Sequence, residues 1–214
     1  EVRERIDALN KNQNNHPLNA DIAVERLKRY IAKGENKILL HDLFHDEQER
    51  VYAQLQKIND FSLYPDCIHI SPRLDQYESI LEILLPMIIN GAYWCNPEHY
   101  PIFIKLFKRI GEPIDYTGTS YEITREFQYY PVLLAIYSLG ITAVKSNNFG
   151  LLFQVAHVKT ENYVSSYIEK PYLLENININ KFDKDILRNI FSNRNYTPLN
   201  DYLFKTLRKY FFKL

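Results

Sequence analysis

Two His-Asp doublets, His41-Asp42 and His45-Asp46, are the residues of this chain whose types and spacing most invite chemistry. Placed on one helix, His41 and His45 are four residues apart and face the same way, so their imidazoles can hold one metal ion between them. That geometry would serve a metal-dependent hydrolase. The pattern departs from H-E-x-x-H, because Asp42 stands where that motif has its general-base Glu. A second reading needs no metal: Asp42 or Asp46 caps a helix, Asp46 and Glu49 form a capping box, and the histidines are solvated or hydrogen-bonded.

Four further residues have the types that bind zinc. Cys67 and His69 form one close pair, and Cys95 and His99 the other. Their spacings are not those of a common zinc finger. Cys95 ends an apolar run, where an isolated cysteine is usually core filler. Neither cysteine lies in a context that would lower its pKa and make it a nucleophile. Glu112, Asp115, Glu122 and Glu126 crowd the 113–120 stretch and could supply an acid and a base. Two of them also suit a helix start, where the dipole favours carboxylates. The expectation from these clusters is no catalytic residue, no bound metal and no cofactor.

The C-terminal segment 181–214 carries eight Lys and Arg residues against three Asp, interleaved with aromatics, in a chain of net charge +0. Cations can meet phosphates and aromatics can stack on bases, so nucleic-acid binding is one reading. A terminal amphipathic helix with cations near its end is the other. Either way Lys205, Arg208 and Lys209 are the candidates for contact with a partner.

Composition bounds the rest. The chain has 214 residues, 46% hydrophobic and 24% charged, with two cysteines and six glycines. It can bury a real core, and no Gly-rich phosphate loop is present. Few cysteines and no secretory signal point to a reducing, cytoplasmic location. Abundant Asn, Ile, Lys and Tyr suit a low-GC bacterial genome. A first residue Glu1 rather than Met leads us to expect a fragment of a larger protein.

The elements that would position these residues read as helices throughout. The 127–144 stretch has no charge at all, and Pro131 can open a helix there. A helix apolar on every side is buried by its neighbours, so a central helix at about 131–146 with a helical jacket is expected, an all-α irregular bundle. The run is too short and too interrupted by polar residues for a membrane span. Before it, Asn19 caps a helix with Ala20, Val24, Leu27 and Ile31 on one face, closed by Gly34. A bridge at 37–40 leads to a helix starting at Asp42 or Asp46. The 60–72 stretch is a loop. Pro86 kinks or divides the apolar run 74–94, and Asn96-Pro97 opens the next helix. After it, helices are expected at 149–157, 183–191 and from Pro198. Helices in 1–60 form an N-terminal group, within the same domain or beside it, and 61–214 forms the main bundle.

Two segments carry a resemblance. Tyr129-Tyr-Pro-Val-Leu-Leu-Ala-Ile-Tyr-Ser-Leu-Gly140 and Thr197-Pro-Leu-Asn-Asp-Tyr-Leu-Phe-Lys-Thr-Leu-Arg208 resemble the helical C-terminal region of multidomain bacterial proteins with a sirtuin-like or Schlafen-like N-terminal domain, some of the phage-defence type. The resemblance covers about half of the chain and carries no catalytic residue onto it. It implies a sensing or assembly region. The His-Asp doublets also resemble those of HD phosphohydrolases, but no second His and distant Asp follow at a matching spacing. The leading expectation is therefore a non-enzymatic helical domain that binds a protein partner or itself. Nucleic-acid binding and a His41/His45 hydrolase are the competing readings.

Overall fold

The computed structural model describes residues 18–58, 70–112, 127–159, 172–177 and 198–211. The protein is all-α. Its helices are α1 (Ala20–Ala32), α2 (Lys37–Ile58), α3 (Ile70–Ile80), α4 (Leu84–Trp94), α5 (Tyr100–Ile110), α6 (Tyr130–Lys145), α7 (Phe149–Ala156), α8 (Leu173–Asn176) and α9 (Pro198–Phe211). Short 3-10 turns, Gly34–Asn36 and Pro97–His99, lead into α2 and α5. No strand occurs among the described residues; an isolated antiparallel bridge joins Lys159 to Tyr172.

Helix α6, uncharged up to Lys145 at its end, is central, as its composition requires, and it shares the centre with α4. Helix α4 packs between α1 and α6. Leu84, Leu85, Met87, Ile88 and Ala92 of α4 are buried, as are Val132, Leu133, Leu134, Ala135 and Leu139 of α6. Gly91 lets Phe103 come close: a Cβ there would lie 2.8 Å from the ring's Cζ. One hydrophobic cluster takes in residues from α1 through α9.

Several boundaries follow physics that a local reading weights differently. Asn19 does cap α1, its Oδ1 accepting from the Ile22 N–H at 2.9 Å. The buried face, however, is Ala23, Leu27 and Tyr30, while Ala20, Val24 and Ile31 are half-exposed. Gly34 is not a left-handed cap; it opens the 3-10 turn that runs straight into α2. Helix α2 starts at Lys37 because Leu40, Leu43 and Phe44 already form its buried stripe. Asp42 and Asp46 therefore sit inside the helix and cap nothing. Pro72 belongs to the first turn of α3, not to a loop. Pro86 divides the apolar run, with a turn at 81–83 between α3 and α4. The predicted helix at 183–191 lies outside the described residues.

Polar side chains tie the bundle at three points. Buried Glu47 takes two hydrogen bonds from Arg50, at 2.6 and 2.8 Å, and Arg50 also donates to the Ile80 carbonyl at 2.7 Å. The end of α3 is thus held to α2. Arg109 of α5 donates to both oxygens of Glu49, at 3.1 and 3.2 Å, and to Glu112 at 2.8 Å, while stacking 3.8 Å over the Tyr52 ring. Lys37 pairs with Glu98.

Candidate functional site

His41 and His45 do share one face of α2, with rings stacked at 6.0 Å between centroids. Both nitrogens of His41 and one of His45 are engaged by neighbours. The Lys105 ammonium donates to His41 Nε2 at 3.2 Å, which fixes the proton on Nδ1, 3.3 Å from Asp42 Oδ1. Gln48 Nε2 donates to His45 Nδ1 at 3.4 Å. No group of three or more His, Cys, Asp or Glu able to hold a metal occurs among the described residues.

Of the four zinc-type residues, the described ones are Cys95 and His99. Cys67 and His69 lie outside the described residues. Cys95 is buried, and loss of hydration pushes its thiol up to about 11, against the opposing pull of the Asn148 amide 3.3 Å away. Such a thiol is unreactive. His99 closes a capping box: its Nδ1 accepts from the Asn96 N–H at 3.3 Å. Its buried Nε2 has no hydrogen-bond partner, and desolvation lowers its pKa. Of the carboxylate cluster, Glu112 pairs with Arg109; Asp115, Glu122 and Glu126 lie outside the described residues.

Helix α9 buries Leu199, Leu203, Thr206 and Leu207 and exposes Lys205 and Arg208. Lys209 is diverted: its ammonium lies 3.5 Å from Glu78 Oε2. Glu78 is a residue that sequence reasoning missed. Its Oε1 accepts from Tyr130 and Tyr202, each at 2.9 Å, and from Thr206 at 3.1 Å. Burial, with the nearby Glu78 charge next, pushes both phenols far above their usual range. Glu78 edges a cleft of about 880 Å³ that also meets Asp21, Glu25, Asp75 and Glu82. A carboxylate so held by donors is an anchor, and nothing beside it is built as a nucleophile.

A different surface stands out on the other helices. A groove of about 490 Å³ runs between α6, α7 and α8, lined by Tyr137, Gly140, Ile141, Val144, Leu152 and Leu174. Gly140 opens it: no side chain stands there, and a Cβ would find only Leu152, at 3.9 Å. Of its lining residues Ile141 is 42% exposed and Val144 56%, and Phe149 (55%) and Phe153 (64%) are exposed elsewhere on α7. The expectation that α6 is covered on all sides therefore fails along this edge. Helix α7 has eight residues and α8 four, too few to span it. Phe153 stacks on His157 at 4.1 Å, and His157 meets Tyr172 edge-on at 5.5 Å. Lys145 ends α6, and the Lys159 ammonium sits 5.4 Å over the Tyr172 ring. A groove lined by partly exposed apolar side chains suits an interaction.

No helix among the described residues is long and apolar enough to cross a membrane. Comparison with protein-family models, with curated proteins and with solved structures finds no match.

Proposed function

We propose that this protein is a non-enzymatic interaction domain whose apolar groove receives an amphipathic helix of a partner protein, the helix bearing an apolar stripe flanked by acidic residues. The observation that carries the reading is the exposure of Ile141 and Val144 in a groove with almost no polar lining, with Phe149 and Phe153 also exposed on the adjoining helix α7. Charge complementarity selects the occupant: Lys145 directly follows groove-lining Val144 at the end of α6, so a carboxylate on the entering helix gains a partner there. Helix-in-groove recognition uses this division, apolar anchors inside and charges outside. The resemblance of 129–140 and 197–208 supports placing this domain as the sensing or assembly part of a multidomain bacterial protein of the phage-defence type.

The test uses two labelled helical peptides with the same leucine stripe, one flanked by Glu and one by Lys, titrated into the full chain by fluorescence anisotropy. The Glu peptide should bind at least about tenfold more tightly, a difference of about 1.4 kcal/mol. Phe153→Glu should abolish binding, and Lys145→Glu should reverse the preference. Equal binding of both peptides would overturn the acidic-helix assignment. Self-association lost in Phe153→Glu would give the groove to a second copy, and binding to lipid vesicles would give it to a membrane surface.

A second reading has one observation of its own. Phe204 is 69% exposed on α9, beside Lys205 and one turn before Arg208. An aromatic flanked by cations suits a single-stranded nucleic acid. A salt series with a short oligonucleotide tests it, since phosphate contacts weaken steeply as salt rises.

A further inference from the structure

Helices α2 and α5 enclose a pocket of about 320 Å³ that the docking reading does not use. Phe44 and Ile102 are its apolar lining, and His41, His45, Lys105, Lys108 and Arg109 line it together with one carboxylate, Glu112. The neighbouring carboxylates are already engaged. Asp42 faces His41 Nδ1, and Arg109 holds both Glu49 and Glu112. Arg109 lowers the Glu49 pKa chiefly by hydrogen bonding, so that carboxylate stays charged and bound to its partner.

The remaining donors are left without acceptors of that kind. Lys105 rests on an imidazole nitrogen rather than on a carboxylate, and the ammonium keeps two further N–H groups. Lys108 makes no ion pair or hydrogen bond among the described residues. His45 accepts at Nδ1, so its proton sits on Nε2 and can be donated. Two ammonium groups and an imidazole N–H beside an apolar lining call for a compact ligand rich in acceptors at one end and apolar at the other. We infer that this pocket binds the phosphate group of a small phosphate monoester, Lys105, Lys108 and His45 holding the phosphate and Phe44 and Ile102 meeting the organic part.

The test follows the histidine ring resonances of the isotopically labelled full chain by NMR. Inorganic phosphate and then phenyl phosphate are titrated at constant ionic strength. The signals of His41 and His45 should move and saturate, while His157, on α7's C-terminal side, should stay still. Phenyl phosphate should bind several-fold more tightly than inorganic phosphate, because its ring adds contact with the apolar lining. Lys105→Gln with Lys108→Gln should weaken both by at least about tenfold without changing the melting temperature. Shifts that never saturate, equal movement of His157, or unchanged affinity in the double variant would overturn the site. Equal affinity for the two probes would overturn the ester assignment. Tighter, salt-sensitive binding of a single-stranded oligonucleotide at the same residues would make it a nucleic-acid contact instead.

Discussion

The Tyr100 hydroxyl donates to Asn148 Oδ1 at 2.5 Å, joining α5 to the turn between α6 and α7. The same amide donates to the Ala92 carbonyl at 3.2 Å and to Cys95, at its carbonyl and its Sγ, at 3.3 Å each. One side chain therefore satisfies the end of α4, the start of α5 and the turn before α7. Asn147, in the left-handed region at φ 56°, sets the chain for this approach. Asn148→Ala should cost about 1–3 kcal/mol, because it leaves buried donors and acceptors without partners. Chemical denaturation measures it. A loss below a few tenths of a kcal/mol would mean that water replaces the amide and the turn is not locked by it.

Glu78 gives a second prediction. Glu78→Ala removes the common acceptor of Tyr130, Tyr202 and Thr206 and should destabilise by about 2–3 kcal/mol. Glu78→Gln keeps an oxygen for the hydroxyls and should cost clearly less. In a Tyr130→Phe background the Glu78→Ala penalty should shrink, since one orphaned hydroxyl is gone. Equal penalties for the Ala and Gln variants would show that the charge facing Lys209, not the hydroxyl cluster, is what stabilises the fold.

How much of this was legible in the sequence depends on range. The central helix was plain, because 127–144 carries no charge and Pro131 marks its start. The Asn96-Pro97 start of the next helix was equally local, needing only a 3-10 turn before α5. The start of α2 was misplaced because Asp42 and Asp46 look like caps, while the burial of Leu40 that overrides them is a tertiary fact. Glu78 was invisible for a related reason: its partners lie 52, 124 and 128 residues away. The available hint was an acid set directly beside Tyr77 on a buried stripe. The groove escaped notice because apolarity along α6 says that cover is wanted, and only the lengths of α7 and α8 say where it runs short.

The Glu49–Arg109 pair predicts a pH dependence. Hydrogen bonding by Arg109 is the main cause holding the Glu49 pKa below its ordinary value, against partial burial, which acts the other way. A carboxyl whose folded-state pKa is depressed stabilises fully above its unfolded value, about 4.3. That contribution disappears as pH falls through the lower folded value. Arg109→Gln should therefore lower the melting temperature at neutral pH by a small margin, and the difference should close in acid. Arg109 is 32% exposed and Glu49 41%, so added salt should shrink the effect as well. A difference that persists unchanged below the carboxylate range would mean that stacking of Arg109 on Tyr52, rather than the ion pair, is what the substitution removes.

Two glycines within helices predict opposite outcomes for one substitution. Alanine is favoured over glycine in a helix by about 0.8–1.0 kcal/mol. At Gly91 the new methyl would meet Phe103 at 2.8 Å and Phe44 at 3.3 Å, two rings fixed in the core. Overpacking of that kind costs about 1–3 kcal/mol, so Gly91→Ala should be destabilising on balance. At Gly140 the nearest atom is Leu152 Cδ1 at 3.9 Å, an ordinary contact, so Gly140→Ala should raise the melting temperature. The same methyl would intrude on the groove between α6 and α7. Stability should rise while affinity for the acidic helical peptide falls, a divergence that a purely structural groove would not produce. Thermal melts beside the anisotropy titration read both quantities from one preparation. If Gly140→Ala gains stability and leaves peptide binding untouched, the peptide does not enter the groove at Gly140 and the docking site must be moved toward Phe149 and Phe153.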